Sequence, residues 1–154
     1  MVAVNDEKLK SIAYQTFEIT CYMFPLEEWE LEEEGVQPPG DGSTSAFVRF
    51  DGAAEGAMEI RVTPELFDAI AENMLGMEEG DDSLKEGALC EIANIICGNT
   101  VPAFAKGNDI CYIRPPEILD DPDKLKEFKG LETETVQVFL DEGVAEITIY
   151  LKSE

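Results

Sequence analysis

The C-terminal stretch constrains the fold most tightly. From Val144 to Leu151, apolar residues alternate cleanly at Ala145, Ile147, Ile149 and Leu151. A period of two sends successive side chains to opposite faces of a strand, so this segment demands a sheet with one buried face. Glu134–Leu140 precedes it, and Asp141-Glu142-Gly143 carries the turn chemistry of a hairpin. A second hairpin is expected from Ala46–Phe50 and Gly56–Val62, joined through Asp51-Gly52, with Phe47, Met58 and Ile60 as core residues.

Helical signals separate the strands. Asn5 is a plausible N-cap for a helix running to about Phe24, where Pro25 stops it. Thr63-Pro64 pairs an N-cap with proline at the first helical position and opens a helix ending near Gly76. Ser83 and Glu86 read as a capping box for a helix to about Thr100, before Pro102. Glu27–Glu34 alternates Trp29 and Leu31 with Glu30 and Glu32, which predicts a short edge strand. Val36–Ser45 reads as a loop, Asp109–Arg114 as extended, and Asp120–Lys129 as a charged excursion with one helical turn. The expectation is one domain spanning residues 1–154, α+β in class. It has a mostly antiparallel sheet of about six strands backed by two long helices and a shorter one. Glu18-Ile19-Thr20-Cys21 parallels Glu91-Ile92-Ala93-Asn94, and each is followed by a hairpin, so an internal α-β-β duplication is also expected.

Composition removes whole classes of function. With 11 Lys and Arg against 34 Asp and Glu, the net charge is −23, which argues against binding nucleic acid or an anionic membrane surface. The absence of histidine excludes His acid/base catalysis and His-ligated zinc. The four cysteines form no CxxC pair, so no metal site is expected, and they read as buried free thiols of a cytoplasmic protein. No apolar run reaches the length of a membrane span.

Projected at 100° per residue, the helix from Ser83 gathers Leu89, Ile92, Ala93, Ile96 and Thr100 on a core face. Roughly opposite runs a stripe of Gly87, Glu91, Asn94 and Gly98, with Ile95 beside it. Each helical glycine costs about 1 kcal/mol relative to alanine, and close approach of another body would justify two on one stripe. The other reading is a small-residue strip packed on a helix of the same chain. Glu91 and Asn94 weigh against that, because a buried Glu needs a partner and a buried Asn several hydrogen bonds. The Asn94 carboxamide does not titrate usefully, so it is no general base, and neither His, metal nor nucleophile accompanies it. It can orient water, the role needed in phosphoryl transfer. Glu91 would anchor a basic residue on the partner, so the stripe would complete another protein's active site.

The run Glu91-Ile92-Ala93-Asn94-Ile95-Ile96-Cys97-Gly98-Asn99 closely resembles the Glu-x-x-Asn helix of the CheC/CheX/FliY chemotaxis phosphatases, CheX above all. Gly56–Val62, Thr63–Gly76 and the closing hairpin extend the likeness over most of the chain. The resemblance implies a phosphatase that stimulates hydrolysis of the aspartyl-phosphate of a CheY-like response regulator. Asn94 would position the attacking water and Glu91 would bridge to a receiver lysine. Mg²⁺ would come from the receiver, with no cofactor of the chain's own, and a homodimer is implied. Glu86, Gly87, Ile95 and Gly98 would contact the partner. The family often has Asp or Ser where Gly87 stands, so either Glu86 substitutes or one contact is missing. Pro115 or Pro116 supplies the proline that the family places after the Asn. The first-half motif ends in Cys21, so one working site per chain is expected. A non-catalytic adaptor that binds a receiver or signalling domain is the alternative, and an acidic decoy for a basic protein a more distant one.

Overall fold

The computed structural model describes residues 6–27, 29–31, 38–52, 54–76, 81–104, 111–128 and 130–152. In chain order the elements are α1 (Asp6–Cys21), β1 (Thr44–Gly52), β2 (Gly56–Val62), α2 (Pro64–Leu75), α3 (Asp82–Phe104), β3 (Cys111–Ile113), β4 (Glu117–Ile118), a 3-10 segment (Pro122–Phe128), β5 (Glu132–Leu140) and β6 (Gly143–Leu151). The sheet order is β3-β1-β2-β6-β5, with β4 also on the outer edge of β1, and every pairing is antiparallel. The expected α+β class and six-stranded sheet are present.

The two hairpins meet at the centre, where Met58 pairs with Ile149 and Ile60 with Ile147. Val48, Met58, Ile60, Val138, Ile147 and Ile149 share one face and are buried beneath the helices. Leu9 and Phe17 of α1, Leu66 and Ile70 of α2, and Leu89, Ile92 and Ile96 of α3 close over them. Burying one such side chain stabilises by about 1.5–3 kcal/mol, so the fit of helix stripes to the strand pleat holds this layer.

Phe47 departs from its expected place. It is fully buried, but it lies on the opposite sheet face from Met58 and Ile60 and packs with Ala57, Leu125 and Phe128. Period two requires this, since Val48 already occupies the helix side. The 3-10 segment covers that second face. Arg49 clamps it, with Nη2 donating to the Lys124 carbonyl and lying 3.3 Å from Glu127 Oε1, while its guanidinium sits over Phe47 and Phe128.

Three further expectations give way. Residues 29–31 are helical rather than extended: Glu30 and Leu31 donate backbone N–H groups to the Glu27 carbonyl, and Glu30 Oε1 accepts from the Glu27 N–H. That reciprocal bond favours a turn over the strand suggested by alternation. The rest of the expected edge strand, residues 28 and 32–34, lies outside the described residues, as does the expected N-cap at residue 5. α1 stops at Cys21 because Tyr22 turns left-handed, φ 57°, and its N–H closes on the Glu18 carbonyl. Asp51 and Gly52 do not form the tip of the first hairpin. They extend β1 and pair with Tyr112 and Cys111 of β3.

Candidate functional site

The start of α3 is fixed two residues earlier than Ser83. Asp81 Oδ1 accepts the Leu84 N–H at 2.9 Å, and the Asp81 carbonyl accepts from Lys85. A charged acceptor at the positive end of the helix outcompetes a serine hydroxyl, so Asp81 is the cap. Lys85 Nζ then lies 2.8 Å from Asp68 Oδ1 and ties the first turn of α3 to α2. α2 itself begins and ends as the sequence predicts. Thr63 occupies the N-cap position, although its Oγ1 accepts from Val144 of β6, and Gly76 takes the left-handed C-terminal position at φ 68°.

The core face of α3 is the expected one: Leu89, Ile92, Ala93, Ile96 and Thr100 are all buried, with the Thr100 hydroxyl donating to the Ile96 carbonyl. The helix nonetheless continues through Pro102 to Phe104. Proline has no N–H to give, so the carbonyl of Gly98, one turn back, loses its helical donor.

On the outer face Glu91 is exposed, while Asn94, Ile95 and Gly98 are half-buried. Gly87 is exposed with open space where a Cβ would stand, so no part of the described chain packs on that end of the stripe. At Gly98 a Cβ would reach only ordinary contact, 3.9 Å from Ile113 Cδ1. Among the described residues, neither Glu91 nor Asn94 has a hydrogen-bond or ion-pair partner for its side chain. A helix spacing of three places the two side chains side by side. The result is a convex ridge offering a free carboxylate and a free carboxamide between two glycines. A ridge of this kind suits insertion into a cavity rather than enclosure of a ligand.

Glu86 stands apart from this ridge. It is half-buried and raises the pKa of Cys90, where burial contributes most, Glu86 next and Glu117 of β4 after it. Cys97, next to Gly98, is buried with its thiol pushed up to about 12, first by burial and then by Cys111. A thiol held protonated in this way is no nucleophile at neutral pH. All four cysteines are free; Cys21 and Cys97 are buried, whereas Cys90 and Cys111 are only half-buried, a partial correction to the expectation.

The internal match also changes register. Ile19 is 70% exposed where Ile92 is fully buried, and Cys21 is buried where Asn94 is half-open. Equal letters therefore sit on different faces. Shifting the alignment by one residue sets buried Phe17 and Cys21 opposite buried Leu89 and Ala93, and brings Ile19 opposite Glu91 and Tyr22 opposite Asn94. Neither can perform their chemistry, so α1 carries no second copy of the ridge. One signal went unread in the sequence: Asp81 before a Leu84 amide marks the true cap.

Residues 44–140 match the family described as Chemotaxis phosphatase CheX. The chain belongs to the CheX family. No curated protein sequence matches it significantly. Among solved structures, CheX in the CheX-CheY-BeF3-Mg²⁺ complex from Borrelia burgdorferi superposes with a TM-score of 0.69 at 21% identity, covering 98% of this chain and 100% of that one. CheX from Desulfovibrio desulfuricans gives a TM-score of 0.70 at 14% identity over 95% of this chain and 97% of that one. CheX from Vibrio vulnificus gives 0.69 at 16% identity over 99% and 100%. At these identities the superpositions speak for the CheX fold. Among the described residues no helix is long and apolar enough to cross a membrane.

Proposed function

We propose that this CheX-family chain stimulates hydrolysis of the aspartyl-phosphate of a CheY-like response regulator by inserting Asn94 into the receiver's active site. The observation that carries this reading is the Asn94 carboxamide, half-open on the outer face of α3 and without a partner among the described residues. A carboxamide accepts and donates at once, so it can hold a water in line with the acyl phosphate without itself titrating. Glu91, one turn before it, meets a lysine of the receiver. Gly87 and Gly98 let the partner approach the helix backbone, and Ile95 fills an apolar gap beside the inserted amide. Glu86, half-buried next to Gly87, meets the partner beside the ridge, in place of the Asp or Ser that the family often carries at position 87. The Mg²⁺ belongs to the receiver. The CheY partner and Mg²⁺ in the Borrelia burgdorferi complex support this assignment by kinship. The working form is a homodimer in the cytoplasm, a state that sedimentation of the purified chain measures.

The test is phosphate release from a phosphorylated CheY-like receiver with Mg²⁺ present. The wild-type chain accelerates release, and Asn94→Ala reduces the acceleration by about a hundredfold or more, the scale of losing one positioned polar group in a transition state. An unchanged rate in Asn94→Ala refutes the role. Wild-type binding without accelerated release would establish the adaptor reading instead.

A further inference from the structure

The sheet face away from α3 carries a second feature. Cross-strand register places Ser45 opposite Arg61 and Phe47 opposite Glu59 on this face, and Tyr150 lies there too, packed against Phe128. Between these strands and the 3-10 segment opens a cleft of about 470 Å³, lined by Ser43, Ser45, Glu59, Arg61, Leu125 and Tyr150 among others. That volume falls within the range of small-molecule sites, roughly 300–1,000 Å³.

Two of its polar groups keep unused hydrogen-bonding capacity. The Ser43 hydroxyl oxygen is buried without a hydrogen bond. Arg61, in a chain of net charge −23, has no carboxylate within ion-pair distance among the described residues; its Nη2 donates only to the Gly40 carbonyl at 2.9 Å. A hydroxyl and a guanidinium at one end of a cleft are suited to a carboxylate. At the other end Glu59 accepts from the Tyr150 hydroxyl at 3.3 Å and keeps further acceptor capacity. Glu59 and Arg61 are same-face neighbours two residues apart, about 6.6 Å along the strand. A molecule bearing both charges at short range fits between them. A phosphate dianion fits poorly, because Glu59 and the strongly negative field of the chain repel it. Leu119 and Leu125 offer an apolar wall for the remainder of the ligand.

We propose that this cleft binds a free α-amino acid with an apolar side chain, its carboxylate on Arg61 and Ser43 and its ammonium on Glu59. The site is separate from the α3 ridge and does not depend on the phosphatase reading.

The experiment is calorimetric and NMR titration of the full chain with L-leucine. Leucinamide lacks the carboxylate and 4-methylpentanoate the ammonium, while inorganic phosphate is a bare anion with neither ammonium nor apolar side chain. Saturable leucine binding with amide shifts at residues 43–45 and 59–61 is expected, and each of the three probes should bind at least about tenfold more weakly. Arg61→Met and Glu59→Gln should each weaken leucine by a similar factor. Because Arg61→Met also frees the loop at Gly40, Ser43→Ala provides a gentler variant with the same expected direction. Absence of saturable leucine binding overturns the proposal. So does equal binding of 4-methylpentanoate, which would show that the ammonium and Glu59 are irrelevant, or tighter binding of phosphate. Undiminished leucine affinity in both Glu59→Gln and Ser43→Ala overturns the assigned location.

Discussion

The carboxamides of Asn94 and Asn99, five residues apart on α3, are used in opposite ways. Asn99 Nδ2 donates to the Ile95 carbonyl at 3.0 Å, as a surface asparagine in a helix commonly does, whereas Asn94 makes no bond within the described chain. The second amide is absorbed by its own helix; the first stays half-open on the outer face of α3.

Glu91 is the proposed anchor, so its loss should be felt in docking. Glu91→Gln should leave stability within about 0.5 kcal/mol of wild type, since the side chain is exposed and unpartnered. In receiver dephosphorylation it should raise the receiver concentration needed for half-maximal rate and flatten the dependence on ionic strength. Steady-state kinetics at several salt concentrations give both quantities. A change confined to the saturating rate would contradict the anchoring role.

Gly87 separates stability from docking. Nothing lies within 4 Å of the position its Cβ would take, so Gly87→Ala should stabilise the helix by up to about 1 kcal/mol. If a partner backbone comes against this turn, the same methyl should slow dephosphorylation. Chemical denaturation and phosphate release measured on one preparation should therefore move in opposite directions.

Tyr22 holds a left-handed conformation, φ 57°, with its side chain 73% exposed. An L-residue other than glycine or asparagine pays about 1 kcal/mol there, and little packing is lost on replacing it. Tyr22→Asn should raise stability by a substantial part of that amount, read as an upward shift of the urea midpoint.

Alkaline pH should unfold the chain through its buried thiols. Cys21 and Cys97 are both pushed up to about 12 from 9.0, by burial first and then by Glu142 and Cys111 respectively. The native state favours the neutral thiols, so their contribution is complete below pH 9 and is lost as pH rises toward 12. Urea midpoints should fall across that window. Cys97→Ala should be less stable at neutral pH yet lose less on going alkaline.

Much of the architecture could be read from local signals. The closing hairpin followed from alternation in Ala145–Leu151, and α2 from Thr63-Pro64 and Gly76, because turn residues and caps act over a few positions. Local signals mislead where two of them compete. Glu27–Leu31 alternates like a strand, but the Glu27–Glu30 bond closes a helical turn. Asp81, not Ser83, caps α3, because a carboxylate at a helix N-terminus is the stronger acceptor. Phe47 belongs to a second apolar layer that exists only because the 3-10 segment folds back over β1.

The sequence by itself determined the Glu91–Asn94 ridge, since helical periodicity alone sets Ile92, Ala93 and Ile96 on one side and those two polar groups on the other. Only the tertiary structure decided that the ridge stays uncovered at Gly87, that α1 rotates its matching letters away from any second site, and that Arg61 and Glu59 border a cleft behind the sheet. Periodicity fixes direction within an element, whereas exposure depends on which distant segments arrive to cover it.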